Sequence, residues 1–243
     1  MRHVTTMTIF DVAHYSDEDR QRIIDSYPED VREARAYGIP MLGEGRVFPI
    51  AEERIKVSAF EIPKHWPHII GLDFGWDHPT AAVRLAWDRD ADVVYVTASY
   101  RRAKEVPAIH AAALKPWGTW IPIAWPADGL QTGKGDGKQL ISHYREAGLS
   151  TLSEHATHSG GGVSVEAGCI ALLERMQTGR FKVFDHLSDW LEEFRLYHRK
   201  NGRIVDERDD LMSATRYGHM MLRLARTKPQ PTIRRPTDIG MIY

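Results

Sequence analysis

The chain has little of several things that would announce a function class. A single cysteine, Cys169, stands in 243 residues. That excludes a disulfide framework and every zinc or iron–sulfur site built on several cysteines, and it suits a reducing compartment. Net charge is almost absent: 32 Lys and Arg against 33 Asp and Glu leave −1. Nucleic-acid affinity of the histone kind, driven by bulk charge, is thereby excluded; a basic groove on a neutral body is not. No window approaches 18 consecutive apolar residues, so no membrane span is expected. Residues 1–19 lack the basic head and apolar run of a signal peptide. Neither an internal repeat nor a G-x-x-x-x-G-K-[ST] phosphate loop occurs, so no ATP site is expected in this chain.

What is present is ordinary globular material, 42% hydrophobic and 27% charged. At about 150 residues per domain the length suits one large domain, or one domain with an appendage. Residues 1–60 do not read as a domain. Ser16–Arg35 is acidic and helix-prone, with Ser16 as N-cap and Pro28 as a break. Gly38-Ile39-Pro40 and Gly43-Glu44-Gly45 then punctuate a loop. From Ile69 the pattern changes. Ile69–Gly75, Thr80–Trp87 and Val93–Tyr100 read as a three-strand antiparallel meander with a turn at Asp88-Arg89-Asp90. Helices are expected over 105–114, 139–147, 165–176 and 209–224, and strands over 120–125 and 181–184. Leu187, Trp190, Leu191, Phe194 and Tyr197 recur at helical spacing, one apolar stripe. Residues 227–243, with Pro229, Pro231 and Pro236, read as a flexible basic tail. Strands followed by alternating helices make an α/β pattern.

Few residues invite chemistry. Asp73 interrupts an apolar strand, where an ionised carboxylate is costly to bury; it serves either a site or the cap of the turn Trp76-Asp77-His78-Pro79. Asp128 lies just past a strand's carboxyl end, where open α/β sheets place their sites; alone, Asp128-Gly129 is a turn. Asp209 and Asp210 open the last helix, where the dipole favours acids without any chemistry. Together these acids form a possible oxygen-only site, suited to Mg²⁺ or Mn²⁺ rather than zinc. Lys134 and Lys138, in a glycine-rich loop, could track a phosphate backbone. The same loop misses the phosphate-loop spacing by one residue. His155 and His158 lack a third ligand, and Cys169 sits among packing residues.

Three stretches in order carry a family resemblance: Gly71-Leu72-Asp73-Phe74-Gly75 with Pro79-Thr80-Ala81; the strand ending at Asp128; and the run from Asp209 to Tyr217. The connector adds Glu33-Ala34-Arg35, Gly38-Ile39-Pro40 and Gly45-Arg46-Val47-Phe48-Pro49. Over about residues 20 to 225 the chain resembles the C-terminal nuclease domain of the large terminase subunit of tailed bacteriophages. The resemblance implies an RNase H-like fold, a mixed sheet of about five or more strands with helices on both faces. It also implies a metal-dependent endonuclease cutting double-stranded concatemeric viral DNA, active in the host cytoplasm at the procapsid, with the portal and the small terminase subunit as partners. The domain division it suggests is a connector over 1–60, a nuclease domain over 61–226 and the tail. With Met1 directly before the connector, the chain resembles an excised or separately encoded nuclease half.

The family triad falls on Asp73, Asp128 and one of Asp209 and Asp210, Asp210 being preferred. Two-metal hydrolysis would have Asp73 bridge the ions, with Lys134, Lys138 and Arg216 as phosphate contacts. Rival readings are a non-catalytic DNA- or portal-docking module and another RNase H-like nuclease, such as a junction resolvase. The charge balance makes one prediction: the isolated chain binds short duplex DNA weakly at physiological salt, because it neutralises few phosphates. Tight binding that survives high salt, measured by fluorescence anisotropy, would count against it.

Overall fold

The computed structural model describes residues 8–12, 14–27, 32, 36–37, 45–133 and 136–230. Pro28, the connector motifs at 33–35 and 38–40, Lys134 and the tail from 231 lie outside them. The core element is a six-stranded mixed sheet. Its strands are β1 (Lys56–Val57), β2 (His68–Asp73), β3 (Thr80–Asp88), β4 (Val93–Arg102), β5 (Ile123–Ala124) and β6 (Phe181–Phe184), in the order β1-β6-β4-β3-β2-β5. The meander β2–β3–β4 is antiparallel as expected, while β1, β6 and β5 join it in parallel. Only β3 runs against the other five.

Around the sheet stand α1 (Asp17–Ser26), α2 (Glu52–Ile55), α3 (Pro107–Leu114), α4 (Leu140–Glu146), α5 (Val165–Gln177), α6 (Ser188–Leu196) and α7 (Asp210–Met220). Ser16 caps α1, its Oγ accepting from the Asp19 N–H at 3.1 Å. Strand alternation sorts the core into two layers. Ile69, Val83 and Leu85 face α5, α6 and α7, in one cluster with Leu172, Trp190 and Leu211. Ile70, Leu72 and Ala82 face the other way, against Leu114 of α3 and Ile141 and Tyr144 of α4. All five residues of the 187–197 stripe are buried, as the spacing required.

Two expectations need correction. The strand expected over 120–125 shortens to β5, because Pro122 and Pro126 bracket it and cannot donate to a ladder. The last helix ends at Met220 and continues as a 3₁₀ turn over 222–224. The stretch before residue 60 also carries more structure than its pattern announces. Val47, Phe48, Ile50 and Ile55 lie in the core, and β1 pairs with β6. A strand of two residues leaves almost no periodic signal. A two-stranded ribbon, β7 (Arg199–Lys200) and β8 (Arg203–Ile204), was not expected at all.

The closest packing is α7 on β2. A Cβ on Gly71 would fall 1.8 Å from the Ala214 carbonyl oxygen and 2.7 Å from the Gly218 nitrogen. Both are helix backbone atoms and cannot move aside. Gly71→Ala is therefore expected to destabilise by about 3 kcal/mol or more through overpacking, lowering Tm on the order of 10 °C. Gly160→Ala, with no heavy atom within 4 Å of its added carbon, is the control for thermal melting. Equal Tm values for the two variants would overturn this account of the contact.

A candidate carboxylate metal centre

Parity and register bring the acids together. Ile69, Gly71 and Asp73 point to the same side of β2, the side α7 covers. From Gly71 to Asp73 the strand climbs about 6.6 Å, and from Ala214 back to Asp210 the helix climbs about 6 Å. Gly71 touches Ala214, so Asp73 and the start of α7 reach the same level. β5 is the parallel neighbour of β2, pairing Gly71 with Ala124, so the chain leaving β5 emerges beside Asp73. There Gly129 is clamped between rings: a Cβ would meet Trp125 Cε3 at 2.5 Å and Phe74 Cε2 at 2.9 Å. This holds the exposed Asp128 at the rim. The four carboxylates Asp73, Asp128, Asp209 and Asp210 line one cleft of about 910 Å³.

The charges in this cleft are unbalanced. No ion pair reaches any of the four within the described residues. Burial, then the charges of Asp209 and Asp210, push the Asp73 carboxyl up to about 8, against a smaller opposing effect of Arg216. Asp209 and Asp210 are also raised, burial being the first cause for both. Asp209 takes a hydrogen bond from Ser213 Oγ at 3.1 Å. Asp210 also borders a second hollow with His78 and Arg101. Asp209 bears on Asp73 more strongly than Asp210 does.

Behind the cleft a buried carboxylate fixes the helix start. Glu193 of α6 is wholly enclosed. Its Oε2 accepts the Leu211 N–H at 2.7 Å and its Oε1 accepts from Arg101 Nη1 at 2.9 Å. Burial raises its carboxyl to about 7. Trp190 Nε1 donates to Thr215 Oγ1 at 2.8 Å, a second tie between α6 and α7. Sequence reasoning missed Glu193; the available signal was an acid beside the Trp190–Phe194 stripe.

The other sequence candidates scatter. Lys138 is exposed and its Nζ is paired to Glu146 at 2.6 Å, away from the cleft lining. Arg216 does line the cleft but is only 4% exposed, enclosed rather than offered to a phosphate. His158 Nε2 bonds the Ser164 carbonyl at 3.0 Å, and Cys169 is buried beside the Tyr197 hydroxyl at 3.7 Å. The unexpected ribbon contributes Gly202, Arg203 and Ile204 to the cleft wall, and Arg199 holds it to Glu166.

Comparison with known proteins places this geometry. Residues 70–222 match the family model of the terminase RNase H-like domain. The chain belongs to that family. The large terminase subunit of Salmonella phage P22 is 50% identical over 236 residues, 97% of this chain and 47% of that protein. The corresponding subunit of Enterobacteria phage LP7 is 51% identical over 219 residues, 90% of this chain and 46% of that protein. The chain thus spans about half the length of these relatives. The solved nuclease domain of the P22 large terminase superposes with TM-score 0.72 at 49% identity, over 76% of this chain and 96% of that one. The large terminase of a thermophilic bacteriophage shares the fold, with TM-score 0.58 at 16% identity over 89% of this chain and 55% of that one. The RNase H-like mixed sheet expected from the motifs is thereby shown.

The terminase domain's four acids offer only oxygen donors, which suits Mg²⁺ or Mn²⁺. As they stand, no three His, Cys, Asp or Glu among the described residues form a set that could hold an ion. The acids line the cleft rather than converge in it. Their mutual charge also predicts a pH dependence. The folded value of Asp73, about 8, lies above its ordinary 3.8, so the folded state keeps a proton that the unfolded chain loses. Stability without metal therefore falls as pH rises from about 4 and is fully lost to this group above about 8. Asp73→Asn should flatten the fall of Tm with pH and melt at or above wild type at pH 8, as read by calorimetry in EDTA. An unchanged slope would show that Asp73 is not the group responsible.

Proposed function

We propose that this chain is the endonuclease part of a large terminase, hydrolysing phosphodiester bonds of double-stranded viral DNA with divalent metal. One observation carries the reading: four carboxylates without ion partners share a cleft at the carboxyl ends of β2 and β5. Such a cluster is unfavourable by itself and becomes favourable around a cation. Mg²⁺ or Mn²⁺, in one or two ions, would supply an activated water and charge stabilisation at the leaving 3′-oxygen.

Asp73, at the centre of the cluster, would hold the metal from the strand side and Asp128 from the rim. The third ligand would come from the pair at the start of α7: Asp210, the reading preferred from the sequence, lies in its first turn, and Asp209 beside it is oriented by Ser213. Glu193 and Arg101 act behind them, fixing the first turn of α7. The reaction needs no protein nucleophile: water's oxygen bonds to phosphorus as the bond from phosphorus to the 3′-oxygen breaks. Packaging, with a portal, a small subunit and a motor as partners in the host cytoplasm, is the setting we infer from the P22 and LP7 relatives. Among the described residues no helix is long and apolar enough to cross a membrane.

Plasmid digestion tests the assignment. With Mg²⁺ or Mn²⁺ the wild type should linearise and degrade supercoiled DNA, and Asp73→Ala should lose roughly 10²-fold or more. Asp128→Asn should follow Asp73→Ala, and so should only one of Asp209→Asn and Asp210→Asn, which assigns the third ligand. Metal should raise the wild-type Tm by mass action and raise that of Asp73→Asn less. Wild-type DNA that stays intact with either metal, with no metal-dependent change in Tm, would favour a docking module instead.

A further inference from the structure

Among the described residues Arg216 is the arginine most fully buried. It sits in the interior of α7 and is 4% exposed. Its stem is pressed under α5, where a Cβ on Gly168 would lie 2.7 Å from both Arg216 Cγ and Cδ. The guanidinium carbon lies 4.3 Å over the Tyr217 ring. Nη1 reaches only the weak acceptor Met220 Sδ at 3.8 Å, and Nε has no hydrogen-bond partner. Three partly buried arginines are paired with carboxylates, Arg101 with Glu193, Arg175 with Asp92 and Arg195 with Glu52, while Arg84 has the Thr97 hydroxyl at 2.8 Å. An enclosed guanidinium without a paired anion is costly, so something else must offset it. The carboxylates of the shared cleft can do so.

We infer that Arg216 is a built-in cation of the carboxylate cleft, a positioning residue that steadies Asp73 and Asp209 without metal and weakens divalent-cation binding there. Its position on α7 explains why one side chain can act on both. Arg216 stands seven residues after Asp209, two helical turns along the same face. The burial that keeps it from a DNA phosphate also keeps its charge from being screened by water. Arg216 thus adds an enclosed positive charge to a cleft whose wall also carries Arg203 of the ribbon, and an entering Mg²⁺ or Mn²⁺ must bind against it.

The inference rests on the cleft being a metal site, and two measurements separate the claims. In the first, Mn²⁺ is titrated by calorimetry without DNA into wild type, Arg216→Met and Arg216→Lys. The Met variant should bind Mn²⁺ at least about five-fold more tightly, and the Lys variant within about two-fold of wild type. The second is a melting cycle in EDTA at pH 9. Arg216→Met should lower Tm, and adding Asp73→Asn should raise it more in that background than in wild type. If Arg216→Met alone does not fold, the double variant should. Mn²⁺ binding to the Met variant that is no tighter than to wild type, or additive effects in the melting cycle, would overturn the inference. A double variant that also fails to fold would reduce Arg216 to packing. A wild type that binds no Mn²⁺ would overturn the metal-site reading, while the melting cycle still decides whether Arg216 and Asp73 are coupled.

Discussion

The contact between Gly71 and the backbone of α7 sets the level at which every other part of the site works. Helix and strand meet there with no side chain between them, so the distance is fixed by main-chain atoms and not by rotamers. Because α7 runs against β2, that one contact converts positions along the sequence into heights in the fold. Asp73 two residues above Gly71 and Asp210 four residues above Ala214 end side by side. The register of β2 with β5 then brings in Asp128 from a third segment. Acids separated by 55 and more residues in the chain are thus neighbours for reasons of backbone geometry alone.

Such a cluster opposes folding, and the surrounding structure is built to hold it. The first turn of α7 would be held poorly by its own acids, since Asp209 makes no side-chain cap bond to the helix. The cap comes instead from Glu193, itself held by Arg101, so the helix start is anchored from α6 and β4. These groups are buried and satisfied, whereas the acids in front of them are buried in part and repel one another. The division is between residues that fix geometry and residues that, on the proposed function, would hold a cation. On the opposite sheet face, Trp125, Tyr144 and Ile141 supply apolar packing without any charge.

Much of this was legible in the sequence because the informative patterns were long. The extended strand runs on each side of Asp88-Arg89-Asp90 leave little choice but a hairpin, and the 187–197 stripe spans nearly three helical turns. Asp73 was visible because a charge in the Ile69–Phe74 run violates the pattern around it. The acids were joined into one site by a resemblance in motif order, not by spacing, since spacing says nothing about which loops converge. What stayed hidden was short or non-local. β1 has two residues and is defined only by β6, far along the chain. The ribbon β7–β8 has two residues per strand. Lys138 and Arg216 look alike in sequence as basic residues near a site, yet one is tied to Glu146 at the surface and the other is sealed beneath Gly168.

Near-zero net charge gains a different meaning once these positions are known. A chain with balanced totals could scatter its charges into surface pairs, each worth little, and much of this one does so. The cleft is the exception, with Asp73, Asp128, Asp206, Asp209 and Asp210 in its lining and one of its cations, Arg216, buried without a carboxylate partner. A local excess of negative charge would repel a DNA backbone, so a bare cleft of this kind is a poor place for a phosphodiester. On the proposed function, divalent cations would reverse that sign at the spot where the scissile phosphate comes to rest. In the proposed reaction metal would then be a condition of substrate approach as well as of hydrolysis, and a neutral protein would leave duplex DNA largely alone until the cation is in place.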